Sequence, residues 1–185
     1  MVFDLPEQLE VAGQTYDIRS DYRDILRILI AFEDPELNES EKLYVCLYIL
    51  YPDFETMPPE DYEAAYSAAV QFIDNGIAGD EKKDPRVMDW EQDAAILFPA
   101  VNKVAGYETR AVEYLHWWTF MGFFMGIRDG TFSTVLGIRQ KKAKGKKLEN
   151  WEREFWQGNQ KLCKLQTKLT AEEQAEKDRL NALLG

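Results

Sequence analysis

Tyr114-Leu115-His116-Trp117-Trp118-Thr119-Phe120-Met121-Gly122-Phe123-Phe124-Met125-Gly126-Ile127 is the stretch on which the fold turns. It holds two of the five tryptophans, three of the ten phenylalanines and the only histidine, and no side chain from Trp117 to Ile127 is charged. A helix apolar on every side belongs inside a protein or inside a membrane. A membrane span needs about 20 such residues, and Glu113 and Arg128 close this run too early. It therefore reads as a buried central helix, with Leu115, His116, Trp117, Trp118 and Phe120 as core residues. Gly122 and Gly126, four apart, form a smooth strip where a neighbouring helix packs closely. A lone histidine in such a setting is expected to hydrogen-bond a carbonyl or carboxylate rather than to act as a base or ligand.

The segments before this helix read as shorter elements that pack on it. Leu9 to Ile18 alternates around Ala12-Gly13-Gln14, which predicts a β-hairpin. Ser20 or Asp21 offers an N-cap for a helix reaching Phe32, with Tyr22, Ile25, Leu26, Leu29 and Phe32 at helical spacing. Asn38 with Glu41 forms a capping box for a helix through Leu50, although Leu43 to Leu50 would also suit a buried strand. Pro58-Pro59-Glu60-Asp61 starts a third helix, which Asn75-Gly76 stops. The polar segment from Gly76 to about Pro85 reads as an exposed loop. A fourth helix is expected from about Asp89, with Trp90, Ala94, Leu97, Val101 and Val104 on one face and a bend at Pro99.

After the central helix, Thr131 to Ile138 reads as a short helix. Arg139 to Lys147 carries six basic residues in nine and reads as a linker. A long helix follows, in which Leu148, Trp151, Phe155, Leu162, Leu165 and Leu169 recur at heptad-like steps, and Thr170 with Glu173 caps a last one. The expected architecture is mainly α: an acidic helical core domain over residues 1–138, a basic linker over 139–147 and amphipathic C-terminal helices over 148–185.

Net charge is −11 across 185 residues, and it is unevenly placed. Residues 1–130 hold 26 acidic and 10 basic side chains, whereas residues 131–185 hold 7 and 12. A body this acidic repels nucleic acid and favours solubility. The N-terminus lacks the layout of an export signal, so a cytoplasmic setting is expected, and Cys46 and Cys163 read as reduced, packed thiols.

Signatures of chemistry are scarce. There is no GxGxxG, Walker loop, GxSxG, HExxH or CxxC, so no enzyme activity and no cofactor are expected. Asp89 and Asp93 would share a helix face, one element of a hard-metal site, but no carboxylate–histidine motif completes it. An acidic first turn complementing the helix dipole explains the pair better. Lys141, Lys142, Lys144, Lys146 and Lys147, followed by Trp151, Phe155 and Trp156, could contact phosphates and stack bases. A cationic linker steering an amphipathic helix onto an acidic surface needs fewer assumptions. The candidate partner-binding residues are those five lysines with Trp151, Phe155, Leu162, Leu165 and Leu169.

Four segments together resemble one family. Gly13-Gln14-Thr15-Tyr16-Asp17-Ile18-Arg19-Ser20-Asp21-Tyr22-Arg23 is similar to its N-terminal G-x-x-Y-x-I-x-x-D-[FY]-R pattern. Asp89 to Asp93 is similar to its D-[YW]-x-Q-D segment, Leu115 to Phe120 to its L-H-W-W-x-F core, and Phe132 to Arg139 to its F-x-x-[IV]-[IL]-x-[IL]-R segment. This is the bacteriophage Gp-fifteen family, encoded in the tail gene clusters of long-tailed phages and prophages of Gram-positive hosts. Ala105 to Arg110 departs from its usual Y-G-I-D-L turn. The resemblance implies a tail-morphogenesis role, as a tail assembly chaperone acting beside the tape-measure protein; the partners expected are the tape-measure protein, with other tail proteins and a homo-oligomer of the chain as further candidates. It carries over no catalytic residue. A structural component of the finished tail, and a binder of nucleic acid or a host protein through the basic run, are the alternatives.

Overall fold

The computed structural model describes residues 4–74 and 85–184. Among them are a two-stranded hairpin and nine α-helices. β1 (Gln8–Val11) pairs antiparallel with β2 (Gln14–Asp17), Val11 facing Gln14. Ala12 and Gly13 between them have φ of 50° and 83°, the left-handed backbone whose twist matches a two-residue hairpin loop. Gly13 adopts it without a steric penalty, whereas Ala12 does not.

Local chemistry sets the first helices. The Asp21 carboxylate caps α1 (Tyr22–Phe32) by accepting the Arg23 N–H at 2.9 Å. α2 (Glu39–Leu50) opens on the expected capping box, with Asn38 and Glu41 exchanging bonds of 3.0 and 2.8 Å. The Leu43–Leu50 run is thus helical. A 3-10 turn at Pro59–Asp61 leads into α3 (Tyr62–Ile73). The stop expected at Asn75-Gly76 and the polar segment up to Asp84 lie outside the described residues.

The remaining helices are α4 (Ala94–Ala105), α5 (Trp117–Met125), α6 (Thr131–Ala143), α7 (Asn150–Gly158), α8 (Gln160–Cys163) and α9 (Ala171–Leu184). The core forms where α1, α2, α3, α4 and α5 meet. Tyr22 and Phe120 stack with ring centres 4.5 Å apart, and Trp117, Ile25, Ile28, Leu47, Leu50 and Val101 are fully buried around them. The Trp117 indole N–H donates to the Ile73 carbonyl at 2.8 Å and that of Trp118 to the Phe72 carbonyl at 2.9 Å. The last carbonyls of a helix have no intrahelical donor, so the aromatic helix completes the end of α3. Cys46 and Cys163 are buried free thiols, and burial pushes the Cys46 thiol up to about 12.

Four expectations need correction. The central stretch is not helical throughout: Leu115 and His116 are extended, and α5 begins at Trp117. Nor is it buried on every side, since Gly122 and Met125 are exposed. α4 starts at Ala94 rather than near Asp89, because the Asp89 side chain accepts the N–H groups of Glu91 and Gln92 and holds a turn there. The basic run is no linker over its first half, because α6 continues to Ala143 and Arg139 on its inner face is buried. The long heptad helix breaks at Gly158-Asn159, where Asn159 takes φ −128° and ψ 41°, and the chain from Lys164 to Thr170 forms neither helix nor strand.

Candidate partner-binding surfaces

The four motif segments fold into two knots. In the first, residues 20–23 lie antiparallel to residues 112–117. Trp117 N–H donates to the Ser20 carbonyl at 2.7 Å, Tyr22 N–H to the Leu115 carbonyl at 2.9 Å, and Leu115 N–H to the Asp21 carboxylate at 2.9 Å. The Arg23 guanidinium closes this pairing on the Val112 and Glu113 carbonyls. His116 is the N-cap of α5: its Nδ1 accepts the Trp118 N–H at 3.0 Å, which leaves the proton on Nε2, 2.9 Å from the Pro6 carbonyl. The histidine therefore fastens the N-terminal strand to the aromatic helix, in the structural role its apolar setting suggests.

The second knot joins the D-W-x-Q-D segment to the arginine that ends the fourth motif. Arg139 is buried, and all five of its N–H donors are used. Two meet the Asp93 carboxylate at 2.7 and 2.9 Å, and three go to the carbonyls of Val87, Leu162 and Cys163 at 2.9, 2.7 and 3.1 Å. Gln92 adds a second grip on the C-terminal strap. Its amide N–H donates to the Lys164 carbonyl at 2.7 Å and its oxygen accepts the Gln166 N–H at 2.9 Å, as a neighbouring strand would. Lys168 then lies 3.2–3.4 Å from Glu91, Asp89 and Glu33, and Arg86 joins Glu33 and Asp89.

The charges in this knot hold one another. Burial alone would raise Asp89, but the Gln92 N–H, the Lys168 ammonium and the Glu91 N–H outweigh it and keep the carboxyl below the usual range. Burial alone would lower Lys168, but Glu91, Asp89 and Glu33 raise it. The Asp89 and Asp93 oxygens, considered above as part of a metal site, are occupied by these internal donors.

The family whose sequence model is described as Bacteriophage Gp15 protein matches residues 2–165. The chain belongs to that family. No curated protein and no solved structure matches it. As a Gp15 protein it is a bacteriophage structural or morphogenesis protein. No helix among the described residues is long and apolar enough to cross a membrane.

The Gp15 chain scatters the residues nominated for partner binding. Lys141 grips Glu152 at 2.7 and 2.8 Å and holds that carboxyl below its ordinary value. Lys142 sits 4.1 Å above the Trp156 ring, so Arg139 and two of the lysines already serve the fold. Lys144, Lys146 and Lys147 are exposed at the α6–α7 turn. Phe155, Leu162, Leu165 and Leu169 are half-buried against the body, whereas Trp151 is 56% exposed. The stripe nominated for a partner is thus largely covered from within.

Two other surfaces stand out on the Gp15 protein. The outer side of α5 is apolar yet exposed at Gly122 and Met125; next to it, exposed Val104 of α4 packs against Gly126, and exposed Tyr107 meets Phe123 edge-on at 6.1 Å. α9 shows no buried side chain among residues 171–183. Residue typing missed Gln92, Arg139 and Lys168. Gln92 and Arg139 left a signal as fixed positions of the motif patterns, and Arg139 also falls on one helical face with Phe132 and Val135.

Proposed function

We propose that this Gp15 protein is a non-enzymatic tail assembly chaperone that holds the tape-measure protein in the host cytoplasm before the tail tube polymerises. The observation that carries this reading is α9. Its described side chains are all exposed, Leu183 by 76%, with Leu180 three residues before it. A helix of this length with no buried face is marginal in water by itself and gains its stability from what it packs on. A tape-measure protein is long, helix-rich and apolar along its faces, and it must stay soluble until the tube surrounds it. Leu180 and Leu183, near the end of α9, would seat against such a face, the rest of the helix being largely polar. The strap ties α9 to a body whose residues 1–130 carry 26 acidic against 10 basic side chains, an excess that favours keeping the complex in solution.

Co-expression tests the reading. The full chain and a chain ending at Thr170, which keeps the clasp through Lys168, are each produced with the tape-measure protein. The tape-measure protein is expected in the soluble fraction with the full chain and in the pellet with the shortened one. Equal solubility with both overturns the assignment to α9. Stoichiometric recovery of the protein from purified virions makes it a structural tail component instead.

A further inference from the structure

We infer that the outer face of α4 and α5 is a self-association surface, occupied by a second copy of this chain in a two-fold arrangement. The centre of the face is apolar, formed by Val104, Tyr107, Gly122, Phe123 and Met125, and Met125 is 53% exposed. At Gly122 an added Cβ would meet nothing within 4 Å, whereas one at Gly126 would lie 2.9 Å from Val104 Cγ1. The strip is therefore packed from within at Gly126 and open at Gly122, where another backbone can approach.

The rim decides the occupant. It pairs Lys103 with Asp129 at 3.3 Å and Arg110 with Glu108 at 2.7 Å, all exposed, with Arg128 beside them. Three cations and two anions make this face nearly neutral on a chain of charge −11. Two copies meeting through the acidic remainder of residues 1–130, or through the lysines of the α6–α7 turn, would bring like charges together, whereas this rim carries both signs. A two-fold interface must be complementary to itself, and alternating Lys103 and Asp129 around an apolar centre meets that condition. Each lysine can exchange its own aspartate for the partner's across the axis. An apolar centre with a charged rim is also the ordinary anatomy of a protein interface. The face is separate from α9, so this inference and the tape-measure reading stand or fall independently.

Sedimentation equilibrium of the full chain, with Lys103→Glu, Asp129→Lys and Met125→Glu variants, provides the test. The wild-type chain is expected to dimerise, and each single substitution to weaken dimerisation by at least about tenfold through like charges or a buried carboxylate. Mixing Lys103→Glu with Asp129→Lys restores opposite charges across the interface but not within either chain. Recovery of a mixed dimer therefore reports contact between copies and not a folding defect. A wild-type chain that remains monomeric at about 100 µM, roughly a hundredfold above the micromolar constants common for modest interfaces, overturns the inference. So does a dimer indifferent to all three substitutions. If Met125→Glu leaves the oligomeric state unchanged but releases the tape-measure protein, the face belongs to that partner and the inference falls.

Discussion

At Arg139 a single side chain joins three separate parts of the sequence, and its removal shows what a buried charge is worth. Arg139→Ala strands the Asp93 carboxylate, 1% exposed, together with three carbonyls that lose their donor. Breaking a buried pair on one side costs about 3–5 kcal/mol, so urea unfolding should place the variant that far below wild type. A joint Arg139→Met, Asp93→Leu replacement should recover much of the loss, since apolar side chains of similar size often replace such pairs well. An Arg139→Ala midpoint close to wild type would show that the strap is not clasped in solution. Arg139 was hidden in the sequence by its company. Among six cations in nine residues it reads as one more solvated charge, and only its spacing from Phe132 and Val135 sets it on the inner face of α6. His116 was easier to read, because the apolar run around it admits few roles besides bonding the backbone.

Among the elements, α5 invites a paired test of its glycines. Gly122 is open within the single chain, so at a concentration where the chain is monomeric Gly122→Ala should stabilise the fold by about 0.5–1 kcal/mol, the usual gain over glycine in a helix. Gly126→Ala should destabilise it, because the new methyl presses on Val104 and on the Phe123 carbonyl at 3.2 Å. Thermal melts of the two variants should move in opposite directions, and a common direction would contradict the packing of α4 against α5. The same contrast marks what was legible. Elements written by nearest neighbours were readable, as with the hairpin around Gly13, the Asn38–Glu41 box and the start at Pro59. Elements decided by distant partners were not. Apolar spacing alone predicted one helix from Leu148 to Leu169, but the carbonyls of Leu162, Cys163 and Lys164 are drawn to Arg139 and Gln92, donors that lie well upstream. Likewise, the extended backbone of Leu115 and His116 is set by its pairing with residues 20–22 and not by its own composition.

On the scale of the whole molecule, the strap is held by charge within a definite pH window. Asp89 has a lowered pKa in the fold, so its contribution is complete above its reference value of 3.8 and fades as pH falls through the lower folded value. Lys168 has a raised one, so its contribution is complete below 10.5 and fades as pH rises through the higher folded value. Stability of the full chain measured against a Lys168→Met variant should thus show a constant advantage near neutrality. That advantage should shrink as pH falls below the ordinary carboxylate range and through the lowered folded value of Asp89. An identical acid dependence in the two chains would mean that Lys168 is not engaged by these carboxylates.

The Arg139 clasp also sets an order in time. Asp93 leaves the ribosome 46 residues before the guanidinium that neutralises it, and the carbonyls of Leu162 and Cys163 follow Arg139 by a further 23 and 24 residues. At roughly 5–20 residues per second, that carboxylate stays hydrated for several seconds, and the segment leading into α4 cannot seat while it does. The N-terminal hairpin and α1 to α3 can gather first, but the second knot is tied only when the strap emerges. A nascent copy therefore completes its fold at nearly the moment α9 becomes available to a partner.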